Sequence, residues 1–138
     1  MTTTINMQTM RYINLLRRVA RVNTTDCFVY NNVIIYVVSA GEMKRALGER
    51  GKNVRELQEI LGKKIKIVRE AKDVTDMQRF IQDIVDPVSF KSVEIRNENI
   101  VLTAGAIAKA ALIGRNKRRL IELNKILEDY FGKELKII

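Results

Sequence analysis

Between Asn6 and Val22 the apolar residues recur three or four apart, as Tyr12, Leu15, Val19 and Val22 and again as Ile13, Leu16 and Ala20. Arg11, Asn14, Arg18 and Arg21 lie opposite. That spacing predicts an amphipathic helix. The period then changes. Residues 27–38 read CFVYNNVIIYVV, two β-branched and aromatic runs split by Asn31-Asn32, which tolerate the positive φ of a tight turn, so a hairpin is predicted. Ser39 is placed to cap a helix running through Leu47. After a short glycine-flanked loop, Val54, Leu57 and Leu61 stripe another helix that Gly62 can close, and KKIKIV at residues 63–68 alternates as a strand.

The second half repeats this order. DVTDMQRFIQDIV at residues 73–85 predicts a helix, with Thr75 and Gln78 in capping-box register and Pro87 beyond its end. SVEIRNENIVL predicts a second hairpin turning at Asn97-Glu98-Asn99. AGAIAKAALI is helical, Gly114-Arg115-Asn116-Lys117 interrupts it, and Leu120, Leu123, Leu127 and Phe131 stripe a longer helix before Gly132 and a closing strand, KELKII. The stretch SAGEMKRALGERG lines up with TAGAIAKAALIGRNK, and LGKKIKIV with FGKELKII. A repeat of this kind predicts two copies of one α+β folding unit, residues 5–70 and 71–138, joined near Glu70–Asp73 without a flexible linker. Each copy is small but long enough to fold.

Charge narrows the class of partner. The 138 residues carry 25 lysines and arginines against 16 acidic residues, a formal +9, and 13 of the basic but only 6 of the acidic residues fall before Ala71. Such a field favours a polyanion, nucleic acid first. With one cysteine, Cys27, and no histidine, neither an intrachain disulfide nor a His/Cys metal cage can form. The opening Met1-Thr2-Thr3-Thr4 lacks the features of a signal peptide, and the longest apolar run, residues 33–38, is too short to span a bilayer. A cytoplasmic chain with no membrane partner, cofactor or small-molecule substrate is expected.

The loop Gly48-Glu49-Arg50-Gly51 carries the sharpest signal. A helix N-terminus presents unpaired N–H groups and a partial positive charge, which attract phosphate. Glycines at 48 and 51 allow backbone angles that other residues resist and remove Cβ atoms that would keep a sugar-phosphate backbone away. Arg50, Lys52 and Arg55 add charge at that opening, with Lys44 and Arg45 on the helix before it.

A G-x-x-G loop between two helices, preceded by a hairpin and followed by a strand, resembles the KH domain in its type II order, α-β-β-α-α-β, with a three-stranded sheet packed on helices. In that family the loop clamps about four nucleotides of single-stranded RNA. Two such units with almost no other sequence resemble the short archaeal NusA-like proteins. The resemblance implies a non-enzymatic, single-stranded RNA-binding protein acting in transcription elongation or termination through nascent RNA. It implies RNA contacts at Lys44, Arg45, Gly48, Glu49, Arg50, Gly51, Lys52 and Arg55, and weaker or altered ones at Gly114, Arg115, Asn116, Lys117 and Arg118. Lys117 stands where the family has its final glycine, and its side chain hinders the closest backbone approach while offering a point charge. The family's base-binding groove directs attention to Leu47, Val54, Ile65 and Ile67; periodicity does not separate groove from core.

Other readings fit less well. ALGERGKN half-resembles a phosphate-binding P-loop, but Ala46 replaces the first glycine, Asn53 replaces the metal-binding hydroxyl, and a helix rather than a strand precedes it. A helix-turn-helix DNA reader conflicts with the hairpin before and strand after each helix pair. Asp73, Asp76, Asp83 and Asp86 read as a solvated helix surface rather than a metal site, and Cys27 as a small buried residue. Two rivals stay open: a protein-interaction module docking on RNA polymerase, and a general RNA chaperone or ribosome-assembly factor.

Overall fold

The computed structural model describes residues 6–24 and 26–138. Ile5, where the expected first unit begins, and the Met1–Thr4 segment lie outside the described residues. The chain divides into two compact units with the boundary between Glu70 and Ala71.

In the first unit, α1 (Met7–Ala20) starts where the Asn6 side chain accepts a 2.8 Å hydrogen bond from the Thr9 amide, and stops at Arg21, which turns left-handed at φ 57°. The helix therefore ends two residues short of the expected Val22. Tyr12, Ile13, Leu15, Leu16 and Ala20 are buried, while Arg11, Asn14 and Arg18 face solvent, as the period predicts. Strands β1 (Asp26–Tyr30) and β2 (Val33–Val38) form an antiparallel hairpin closed by Asn31-Asn32, with φ of 51° and 63°. These are the angles of a type I′ turn, whose twist matches that of the strands.

A one-turn helix, Ala40–Glu42, leads into α2 (Met43–Leu47), and α3 (Lys52–Leu61) follows the loop. Ser39 does not act through its side chain; its carbonyl accepts from the Glu42 amide instead. Gly62 ends α3 at φ 65°, and β3 (Lys64–Arg69) then pairs parallel to β2, so the sheet order is β1-β2-β3. A parallel pair needs a crossover, and α2 and α3 supply it. One face of the sheet, with Cys27, Ile34, Tyr36, Val38 and Ile65, packs on Leu16, Ala46 and Leu57. Burying each large apolar side chain contributes roughly 1.5–3 kcal/mol. The Tyr36 hydroxyl donates to the Tyr12 carbonyl at 2.8 Å, which fastens β2 to α1.

The second unit repeats the sequence of elements: α4 (Met77–Val85), β4 (Ser92–Arg96), β5 (Asn99–Thr103), α5 (Ala106–Ile113), α6 (Arg118–Phe131) and β6 (Leu135–Ile137), with sheet order β4-β5-β6. The hairpin turns on Asn97-Glu98 alone, at φ of 50° and 67°, because Asn99 already pairs with Arg96. A one-turn helix, Val74–Asp76, precedes α4. Its cap is Asp73, whose carboxylate accepts from the Thr75 amide at 2.9 Å and from the Thr75 hydroxyl, so Thr75 donates where the capping-box reading had it accept. Those hydrogen bonds hold the Asp73 carboxyl below its ordinary range. Phe80 stacks on Tyr130 with ring centroids 4.5 Å apart. The Tyr130 hydroxyl accepts from the Ala71 amide and donates to the Ala71 carbonyl, both at 3.0 Å, so α6 holds the first residue of its own unit. No helix among the described residues is long and apolar enough to cross a membrane.

Candidate nucleic-acid interface

Each unit places a four-residue turn between its two adjacent helices. In the first, the Gly48 amide bonds the Lys44 carbonyl at 2.9 Å and closes α2. Gly48 then leaves helical space at φ 76°, ψ 168°, a region only glycine visits readily. Arg50 turns left-handed (φ 54°, ψ 32°), Gly51 follows at φ 73°, ψ 21°, and Lys52 opens α3. In the second unit, Gly114 has φ 73°, ψ 174°, Asn116 has φ 57°, ψ 28°, and Lys117 has φ 59°, ψ 21° before α6 begins at Arg118. The two turns follow one backbone path. The change of the final glycine to Lys117 alters side-chain chemistry and leaves the path unaltered.

The two glycines of the first turn serve different purposes. A Cβ built on Gly48 would lie 2.9 Å from Asn53 Cγ and the Asn53 backbone nitrogen, so the missing side chain makes room for the following helix. A Cβ on Gly51 would meet only Arg55 Nη1, at 3.6 Å, an ordinary contact; what glycine supplies there is the left-handed angle. Lys117 takes that angle as an L-residue, at a cost of roughly 1–2 kcal/mol.

Neither α3 nor α6 receives a side-chain cap, and neither has an acidic residue in its first turn. By contrast, Asn6 caps α1. Lys52 at the start of α3 and Arg118 at the start of α6 are exposed, placing cations against the positive end of the helix dipole. An anion bound there would relieve both the unpaired N–H groups and the repulsion.

The side chains expected to act here occupy several settings. Glu49, Arg50 and Lys52 are exposed on the turn, as are Arg115, Asn116, Lys117 and Arg118 on its counterpart; Gly48, Gly51 and Gly114 are half-buried. Lys44 and Arg45 are exposed on α2, and Arg45 Nη1 lies 3.6 Å from Glu42 Oε2 in a surface pair. Arg55, exposed on α3, keeps its charge at the opening, and its Nη1 also donates to the Arg50 carbonyl and braces the turn. Of the groove candidates, Leu47 is exposed, Val54 and Ile67 are half-buried, and Ile65 belongs to the core.

Sequence reasoning missed Asn53 and Arg119. Asn53 Nδ2 donates to the Arg45 carbonyl at 2.8 Å, reaching from the first turn of α3 to the last turn of α2. Arg119 Nη1 does the same from α6 to the Ala111 carbonyl of α5, at 3.3 Å. The residues hold equivalent places, five positions after the first glycine of each turn, but their different chemistry hid the equivalence.

Elsewhere, Asp83 pairs with Arg79 at 3.1 Å and Asp76 accepts from the Lys72 amide at 3.2 Å. No cluster of metal-ligating side chains occurs among the described residues. Burial, with Asp26 adjacent, pushes the Cys27 thiol up to about 12 and makes it a poor nucleophile.

Comparison with known proteins fits this geometry. The model of the KH domain matches residues 12–100. The chain is 25% identical over 120 residues to the probable transcription termination protein NusA of Methanocaldococcus jannaschii, covering 84% of this chain and 64% of the relative. It is 25% identical over 134 residues to the protein of the same name from Halococcus morrhuae, covering 95% and 94%. The crystal structure of APE1850 superposes with a TM-score of 0.66 at 30% identity, covering 97% of this chain and all of that one.

Proposed function

The chain belongs to the KH-domain family and is NusA-like, and from that premise we propose that it is a non-enzymatic, single-stranded RNA-binding protein built from two tandem type II KH domains, Ile5–Glu70 and Ala71–Ile138. It acts in transcription elongation or termination by holding nascent RNA. The transcription role rests on the names of its relatives, and the RNA role on the family together with the basic field.

The observation that carries the reading is the pair of matching turns, each leading into an uncapped helix start with no acidic residue in its first turn. At the first turn, Gly48, Arg50, Gly51 and Lys52 receive the sugar-phosphate backbone, the glycines by leaving room for it and Arg50 and Lys52 by their exposed charge. Glu49 lies beside them, Lys44 and Arg45 add field, and Arg55 braces the loop. At the second, Gly114, Arg115, Asn116, Lys117 and Arg118 make a contact of different character, with the lysine meeting phosphate as a point charge. Leu47, Val54 and Ile67 line the approach for bases.

Amide chemical shifts recorded while a short randomised single-stranded RNA is added test this directly. The largest changes fall on the amides of residues 48–54, with smaller ones on 114–120. Changes confined to other surfaces, or none, would refute the assignment.

A further inference from the structure

Asn53 and Arg119 differ in charge, length and shape, yet each sends one N–H from the first turn of the second helix to a carbonyl in the last turn of the first. Each also lies under the first glycine of its turn. A Cβ on Gly48 would sit 2.9 Å from Asn53, and one on Gly114 would sit 3.0 Å from Arg119 Cγ. Two unlike side chains arriving at one geometry in two copies point to a requirement of the turn rather than to the chemistry of either residue. The carbonyls they reach are among those a helix end leaves unpaired. The bond ties the exit of one helix to the entry of the next across the chain reversal. It thereby fixes the direction in which the first-turn N–H groups of α3 and α6 point.

We propose that Asn53 and Arg119 are positioning residues that hold the two turns in their phosphate-receiving shape, acting through the Arg45 and Ala111 carbonyls rather than by touching RNA. The inference rests on the reading of these turns as RNA contacts. Arg119, one of four cations in Arg115–Arg119, is then committed to the scaffold, leaving Arg115, Lys117 and Arg118 to face a polyanion. The first glycine of the motif also gains an internal reason, namely room for the tie beneath it.

The test uses the full chain with Asn53→Ala, Asn53→Arg, Arg119→Ala and Arg119→Asn, each followed by amide spectra without RNA and by RNA titration. Asn53→Ala shifts the Gly48 and Gly51 amides and weakens binding about fivefold, the scale of one neutral hydrogen bond. Arg119→Asn keeps the wild-type Gly114 amide resonance and Arg119→Ala moves it, although both remove the same charge. Asn53→Arg restores the Gly48 and Gly51 resonances. Unmoved amides and unchanged affinity in Asn53→Ala would overturn the proposal. So would equal behaviour of the two Arg119 variants, which would make charge the whole effect. Moved amides in a protein whose wild type ignores RNA would instead refute the RNA reading and leave the tie standing as a structural device.

Discussion

Lys117 holds the backbone angles of Gly51: φ 59°, ψ 21° in one turn and φ 73°, ψ 21° in the other. The first glycine has no such substitute, because Gly48 and Gly114 both lie near φ 75°, ψ 170°, where a side chain is excluded. Lys117→Gly therefore stabilises the protein by about 0.5–1 kcal/mol in urea unfolding, the left-handed strain being partly offset by the entropy of the glycine chain. Gly48→Ala destabilises by about 2–4 kcal/mol, combining strain with the clash against Asn53. Equal effects at the two positions would show that the first glycine is not specially constrained.

Tyr130→Phe removes one oxygen and leaves both polar groups of Ala71, a residue only 2% exposed, without their partner. The expected loss is about 1–3 kcal/mol with the Phe80 ring contact retained, read from the urea midpoint. A change below a few tenths of a kcal/mol would mean that water replaces the hydroxyl.

The Cys27 thiol, raised by burial to about 12 from an ordinary 9.0, stays neutral in the folded chain over a range where the unfolded thiol ionises. Its contribution to stability is present below pH 9 and is lost as pH rises toward 12. At pH 8 a thiol reagent labels the native protein slowly and the urea-unfolded protein rapidly. Cys27→Val makes the alkaline fall in stability shallower. Rapid native labelling would contradict the buried position.

The elements were legible from the chain because their signals are local. The spacing Tyr12, Leu15, Val19 marks a helix, Asn31-Asn32 marks a hairpin, and Gly62 and Gly132 end helices where a left-handed residue is needed. The loop was legible because glycine spacing and a repeat coincided. What could not be read depends on where the chain returns in space. Ile65 and Ile67 alternate alike in sequence, yet one enters the core and the other stays half-buried. Ser39 and Thr75 had the right chemistry for caps, but a carbonyl and the Asp73 carboxylate do that work. The charge of Arg55 was legible, but its bond to the Arg50 carbonyl depends on how the turn folds back.

Salt dependence distinguishes cations that meet phosphate from one that braces the turn. Each phosphate neutralised on a single strand contributes about 0.7 to the slope of log affinity against log salt. Arg50→Ala and Lys52→Ala each reduce the slope by about that amount. Arg55→Ala lowers affinity with a smaller change in slope. An Arg55 effect equal to that of Lys52 would place its guanidinium on RNA.

Capture of RNA by the first glycine turn is read from a fluorescence-anisotropy titration of a randomised single-stranded RNA pool, with duplex DNA as competitor. The wild type is compared with the double variant Glu49→Asp, Arg50→Asp. Aspartate tolerates the left-handed angle at position 50, so the fold survives, as thermal unfolding of the variant would verify. The expected result is a preference for single-stranded RNA and a loss of affinity in the variant of about tenfold or more, the size of exchanging a phosphate contact for a repulsion. A folded variant that binds RNA as tightly as the wild type would contradict it and bring the protein-interaction reading forward.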